Sequence, residues 1–236
     1  MTRQTTLTIL CVFSLLAGSA SAEVWKDDFE NDELGESWTS ATFRVNAPPN
    51  WKVENGVLRG SWLHPGSGEM LFLEEYPSLD YTIQVKGRID QVWQASKYAD
   101  LSIVFRSSGP AGNKVTPFYA FALVSFRTFF FIAHDAANWR DVAVAPGKYN
   151  IGEWYTLKLV VRGNRFLGYV DDKLVCELRD RQFKGKFVGV ATGYQVDVSF
   201  DDFTITDQVD DDAFLDFDVS PEGMALTTTW ASLKVQ

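Results

Sequence analysis

Strict alternation of apolar and polar residues is the feature that most restricts what this chain can fold into. In "YTIQVKGRI", Tyr81, Ile83, Val85 and Ile89 fall on one face of an extended segment, and Thr82, Gln84, Lys86 and Arg88 fall on the other. That is the period-two pattern of a half-exposed antiparallel strand. "WYTLKLVVRG" repeats it with Tyr155, Leu157, Leu159 and Val161 inward, and "RFLGYVDDKLVCEL" reads as a hairpin turning at Asp171 and Asp172, with Leu174, Cys176 and Leu178 on one face. "FYAFALVSFRTFFFIA" is apolar on both faces, which places it mid-sheet and covered on both sides. No long segment carries the 3.6-residue period of an amphipathic helix. Turn signals recur at "NAPPN", "RSSGPAGNKVTP" and "APGKYNIGE", and eight Trp with eighteen Phe supply large core side chains. The chain is expected to be all-β, a two-sheet antiparallel β-sandwich. Trp38, Trp51 and Trp154 are assigned to its core. No repeat of about 20–50 residues is visible, which argues against a propeller or solenoid.

The N-terminus has a different character. Arg3, an apolar stretch over residues 7–16 and the small residues Ser19, Ala20 and Ala22 make residues 1–22 a signal peptide cut before Glu23, so the mature chain is expected to be secreted or periplasmic. Cys11 lies inside the apolar stretch and ahead of the small-residue pattern, which argues against a lipid anchor. No later window approaches the roughly 20 apolar residues of a membrane-spanning helix. Removing the leader leaves Cys176 as the only cysteine, which rules out an internal disulfide, a cysteine-based structural zinc site and a redox pair. Stability therefore rests on the core of a domain over residues 23–206. The mature chain has 21 Lys and Arg against 31 Asp and Glu, a net charge of −10, and such acidity disfavours nucleic acid or anionic lipid as partners. Residues 207–236 form an acidic linker, "DQVDDDAFLDFDVSPEG", and a C-terminal extension, "MALTTTWASLKVQ". Phe214, Leu215 and Phe217 suggest that part of this segment docks on the sandwich.

One strand breaks its own rhythm. In "VDVSFDDFTIT", Val196, Val198 and Phe200 occupy even positions, whereas Phe203 and Ile205 continue on odd ones. A one-residue slip of the inward face is the signature of a β-bulge, placed here at Asp201 and Asp202.

Several stretches together resemble the concanavalin A-like lectin and glucanase superfamily, the laminin-G-like jelly roll. They are "DDFENDELGESWTSA", "NWKVENGVLRG", "YADLSIVFRSS" with its strand-end Arg106, "GEWYTLKLVVRGNRFLGYVDDKLVCELRD" and "KGKFVGVATGYQVDVSFDDFTIT". Within it the chain is most similar to bacterial exported domains of the 3-keto-disaccharide hydrolase type. The superfamily contains lectins, carbohydrate-binding modules, glucanases and adhesive modules, so the resemblance implies the fold and leaves the function to the site. Family 16 glucanases carry Glu-x-Asp-x-x-Glu on one strand, placing two carboxyls about 5 Å apart for a retaining mechanism. The nearest counterpart, "GEMLFLEEYP", has Glu69, Glu74 and Glu75 but no Asp between them, and Glu74 and Glu75 read as solvent-facing. No catalytic residue is assigned, and an enzymatic role is less expected than a binding one.

Sugars are recognised by aromatic rings against their C–H faces and by planar polar side chains reading hydroxyls. Residues expected to project from a strand face or loop rim are Trp62, Trp93, Tyr98, Arg106, Arg127, Trp139, Tyr194 and His134. Trp93 and Trp139 are the aromatic residues expected to be exposed, and Arg106 shares a face with Ser102 and Val104. Many members of the superfamily hold structural calcium where first and last strands adjoin, which nominates Asp28, Asp201 and Asp202 as oxygen ligands. The resulting expectation is a secreted, non-catalytic carbohydrate-binding, lectin-like or adhesive module that binds a polysaccharide or glycan on its concave sheet. Its alternatives are a glycoside hydrolase of the 3-keto-disaccharide type and a purely structural cell-surface module.

Overall fold

The computed structural model describes residues 24–31, 33–43, 47–73, 75–94, 98–110, 116–135 and 137–207. The expected leader, and all of the expected C-terminal segment beyond Asp207, lie outside the described residues. Fifteen strands form two antiparallel sheets with no helix among the described residues, and none is long and apolar enough to cross a membrane. One sheet, here sheet A, contains β1 (Val24–Asp27), β3 (Trp51–Val53), β4 (Leu58–Trp62), β6 (Tyr81–Val92), β11 (Trp154–Arg162), β12 (Arg165–Val170), β13 (Lys173–Arg179) and β15 (Val196–Thr206). Its order is β13-β12-β11-β6-β15-β4-β3, with β1 also paired to β15. Sheet B contains β2 (Trp38–Phe43), β5 (Gly68–Leu73), β7 (Asp100–Ser107), β8 (Phe118–Val124), β9 (Arg127–Ala133), β10 (Trp139–Pro146) and β14 (Phe187–Gly193), in the order β10-β9-β8-β7-β14-β5-β2.

The inward sets follow the alternation. Tyr81, Ile83, Val85 and Ile89 of β6 pack with Leu157, Leu159 and Val161 of β11 against Leu101, Ile103, Phe105, Tyr119 and Phe121 of sheet B. Asp171 and Asp172 turn the β12–β13 hairpin with φ of 48° and 60°, as a two-residue turn matching strand twist requires. Gly168 faces the interior where the two sheets meet, and a Cβ there would lie 2.5 Å from the Phe121 ring.

One parity shift and one outward tryptophan alter individual expectations. Gly168 pairs with Cys176 but Tyr169 pairs with Leu174, so β13 bulges at Val175. Cys176 enters the core while Leu174 turns to the outer face of sheet A. Trp154, assigned from sequence to the core, lies on the outward parity of β11 and is 37% exposed. The Arg88 guanidinium covers its ring at 4.6 Å.

The slip in β15 is a bulge: Asp201 pairs with Lys86 and Thr204 with Gln84, and Asp202 takes φ 50°. Val196–Phe200 pair along their other edge with β4, while Phe203–Thr206 pair with β1. The bulge therefore sits where one partner strand hands over to another.

Gly168→Ala is expected to force the Phe121 ring out of its packed position and to lower stability by about 1–3 kcal/mol, the usual cost of overfilling a core. Thermal or urea unfolding of the protein measures it.

Candidate functional site

The outward face of sheet B is unusually apolar, and its side-chain sizes shape it. Small residues (Ser102, Ala120, Ala122, Ala191 and Gly193) form a floor over the central strands, while Phe43 and Met70 rise on one side and Phe129 and Phe131 on the other. The twist of the sheet brings distant corners together, so that Phe43 meets Phe118 at 5.8 Å and Phe131 at 6.1 Å between ring centroids. What remains is a shallow recess, open to solvent on one side. The coverage expected on both faces of β8 is thus supplied outside by these aromatic side chains and inside by the core.

At one end of the recess the aromatic residues become partly exposed and charges join them. Tyr98 lies 5.3 Å from Trp139, 4.9 Å from Tyr194 and 6.3 Å from Phe129, and Trp139 stacks on Phe131 at 5.3 Å. The Arg127 guanidinium covers Phe129 at 4.3 Å and faces Tyr98 at 5.6 Å. It also pairs with Asp141 at 3.0 Å, whose Oδ1 is buried and accepts no hydrogen bond in the structure. Asp100 borders the recess beside this pair. Burial pushes its carboxyl up to about 7; the Ser102 hydroxyl that donates to it and Arg127 pull the other way, and the Asp141 charge adds to the rise.

Four residues nominated from sequence, Tyr98, Arg127, Trp139 and Tyr194, therefore converge. Trp93 is 53% exposed and stands next to this end, its backbone N–H donating to the Gln195 carbonyl at 2.9 Å. Asp100 and Asp141 went unnominated, although the polar Asp100 and Ser102, alternating with Leu101 and Ile103, carried the signal.

The remaining nominations lie elsewhere. Arg106 does not share the face of Ser102 and Val104: β7 bulges between Val104 and Ser107 against β14, and Arg106 takes φ 51°. Its parity flips, and the guanidinium is buried against Phe166 at 5.5 Å while donating to the Leu79 and Gly163 carbonyls at 2.8 Å each. The strand-end arginine thus ties two loops together inside the sandwich. Trp62 is 1% exposed, and its indole N–H donates to Ser67 Oγ at 3.0 Å. His134 is exposed beyond the far end of β9 from Arg127, its ring edge against Phe183 at 5.0 Å. Asp28 and Asp202 do approach one another across β1 and β15, but around a lysine: Lys26 Nζ lies 3.4 Å from Asp28 and 3.8 Å from Asp202, and Lys86 Nζ lies 2.7 Å from Asp202. Asp201 accepts the Asp202 backbone N–H at 2.7 Å. Calcium needs six to eight oxygens, and two ammonium groups among these carboxylates do not fit it. No group of three or more potential ligands gathers among the described residues.

Of the stretch "GEMLFLEEYP", Glu74 lies outside the described residues, and Glu69 carries no assignment from sequence. Glu75 is exposed, as read from sequence, but Glu69 is fully buried at the end of the sandwich. Its Oε2 accepts the Asn50 N–H at 2.7 Å while Oε1 has no partner. Burial pushes this carboxyl up to about 7, against the lowering effect of the backbone at Asn50 and Ser61.

The architecture is that of a concanavalin A-like, jelly-roll sandwich. More particularly, residues 24–206 match the model of the 3-keto-alpha-glucoside-1,2-lyase-like domain, and the chain belongs to that family. Among solved structures it is similar to the carbohydrate binding module CBM66 from Bacillus subtilis, with TM-score 0.58 and 18% identity over 72% of this chain and 94% of that one. Domain 4 of AbnA, a GH43 extracellular arabinanase from Geobacillus stearothermophilus solved with arabinotriose, gives 0.51 and 11% over 80% and 94%. A GlcNAcα1-4Gal releasing endo-β-galactosidase from Clostridium perfringens gives 0.54 and 12% over 79% and 63%. No curated protein matches the chain.

Glu69 generates a pH test. Its carboxyl holds a proton to higher pH in the folded chain than in the unfolded one, so its contribution is full below about pH 4.5 and is lost as pH rises to about 7. Glu69→Gln is expected to remove that component, making the variant more stable relative to wild type at pH 8 than at pH 4 by on the order of 3 kcal/mol. Urea unfolding of both proteins at the two pH values measures the difference.

Proposed function

We propose that the exported chain is a glycan-binding module whose ligand lies at the Tyr98–Trp139–Tyr194 end of the sheet B recess. The observation that carries this reading is the convergence of three partly exposed aromatic rings with the Arg127–Asp141 pair at the edge of a concave face. Rings in that setting suit the C–H faces of a pyranose or furanose. Asp141 fixes Arg127 through its other, paired oxygen, and Arg127, held by that carboxylate and two rings, is a planar donor with little orientational freedom left to lose. Family membership and the likeness to carbohydrate-binding modules support the ligand class.

Tyr98→Ala and Trp139→Ala are each expected to weaken binding of the mature protein at least tenfold, about 1.4 kcal/mol, to whichever glycan a glycan array with and without calcium identifies. Absence of any glycan binding in both conditions sinks the proposal. Binding that survives both substitutions moves the ligand off this face.

Asp100 favours a second reading, catalysis on a 3-keto-glycoside. A carboxyl that titrates near neutrality at the rim of a recess, with a second carboxyl and an arginine beside it, is matched to proton transfer. Product formation from a 3-keto-glucoside that Asp100→Asn abolishes establishes it. Binding without turnover leaves the module reading.

A further inference from the structure

The outer face of sheet A, on the opposite side of the sandwich from the recess, carries an apolar patch that a two-layer fold does not account for. Leu157, Leu159 and Val161 of β11 and Phe166 and Val170 of β12 point into the core. Val160, Leu167 and Tyr169 therefore point outward, and with Leu174 they form a separate cluster. Yet Val160 and Leu167 are 0% exposed and Tyr169 is 9% exposed. Ser199, outward on the same sheet, is equally sealed, but it is a small hydroxyl held by Asp90 and Arg88; Val160 and Leu167 are large apolar side chains that such a network does not cover. Three cations border it: Lys158 lies over the Tyr169 ring at 4.7 Å and 3.6 Å from Asp172, Arg162 ends β11, and Arg165 of β12 pairs with Glu177 at 2.9 Å.

We propose that the chain's own segment Asp207–Asp218 docks across this patch. Thr206, where β15 ends, stands in one row with Thr82 and Val160, so the patch begins two interstrand spacings away, ~10 Å. The nine residues from Asp207 to Leu215 reach up to ~30 Å when extended, more than enough to arrive there. The segment reads "DQVDDDAFLDFD", with six Asp and no Lys or Arg. Extended, it sets Leu215 and Phe217 on one face and Asp216 and Asp218 on the other. Leu215 and Phe217 supply the apolar cover that Val160, Leu167, Tyr169 and Leu174 need. The aspartates meet Lys158, Arg162 and Arg165 in an otherwise strongly acidic protein. The acidic run is then a strap that makes a third layer over sheet A. This inference is independent of the glycan reading, which concerns the other sheet.

The test uses the full mature chain with a nitroxide on Asp218→Cys. Cys176, 4% exposed and with its thiol pushed up to about 11 by burial, stays unlabelled. Methyl NMR is expected to show paramagnetic loss of the Val160 and Leu167 signals, with Val104 on the far face of sheet B unaffected. Dilution of labelled into unlabelled, NMR-visible protein should reproduce no loss in the visible molecules. Full Val160 and Leu167 intensity in the labelled chain overturns the proposal. So does a loss transmitted to the unlabelled molecules, which assigns the patch to a second copy. Adding Leu215→Asp with Phe217→Asp, positions outside the sandwich core, should restore the signals and raise binding of a hydrophobic dye. Persistence of the loss in that variant also overturns it.

Discussion

The pairing of β15 with β6 is the constraint on which the remainder of the sandwich depends. These two long strands occupy the middle of sheet A, and every other strand of that sheet extends from one of them. A strand of eleven residues with unbroken alternation cannot serve β4 along its first half and β1 along its second unless the chain steps sideways between them. The extra residue at Asp202 makes that step. It lets Val196, Val198 and Phe200 and then Phe203 and Ile205 all reach one core. The Lys86 ammonium hydrogen-bonded to Asp202 holds that carboxyl below its usual range, so the bulged residue remains charged and outside. The paired aspartates belong to the architecture: one carboxylate accepts the next backbone N–H, and the other anchors two lysines.

The two sheets use their outer faces differently, and side-chain size is the reason. On sheet B the floor is built from alanine, serine and glycine, so tall aromatic residues on the flanks lean inward over an empty centre. Only where Tyr98, Trp139 and Tyr194 end this apolar lining do charges enter, and there they come as a pair already neutralised. On sheet A the corresponding positions carry Lys86, Arg88, Asp90, Asp197 and Ser199, linked by ion pairs and hydrogen bonds such as Arg88 to Asp90 and Ser199 to Asp90. That face is polar, with Ser199 sealed beneath the Arg88–Asp90 pair, and the apolar Val160–Leu167 cluster is what differs from it.

Much of this was legible in the sequence because period-two alternation reports directly on which side of a sheet a residue occupies. The strands, the hairpin at Asp171 and Asp172, the bulge at Asp201 and Asp202, and the convergent residues Tyr98, Arg127, Trp139 and Tyr194 all follow from it or from exposure arguments built upon it. The failures are equally specific. Arg106 and Leu174 lie beyond bulges whose extra residues leave no mark in a run of uniformly polar or uniformly apolar neighbours, so their parity inverted unseen. Trp154 was placed by hydrophobicity when its own strand's alternation already put it outside. Trp62 has the polar, loop-edge neighbours of a rim residue, but tertiary packing gives its indole N–H a buried partner in Ser67. Asp28 and Asp202 were correctly brought near one another; what pattern could not reveal is that Lys26 and Lys86 reach between them.

Glu69 and Asp100 show why burial alone does not identify a reactive carboxyl. Both are held near neutrality by desolvation, and they lie on adjacent rows of the same sheet, since Thr192 pairs with Glu69 and Gly193 with Asp100. Their environments nevertheless diverge. Glu69 points between the sheets, where only backbone at Asn50 and Ser61 opposes the effect of burial and no charged side chain competes for its proton. Asp100 points outward into the recess, against Ser102, Asp141 and Arg127. A proton on Glu69 is therefore a matter of folding stability. A proton on Asp100 answers to the charges of Asp141 and Arg127 beside it. Pattern along the strands separates the two: consecutive rows alternate faces, so two acids one row apart are sent to opposite sides of the sheet, one to the core and one to the recess.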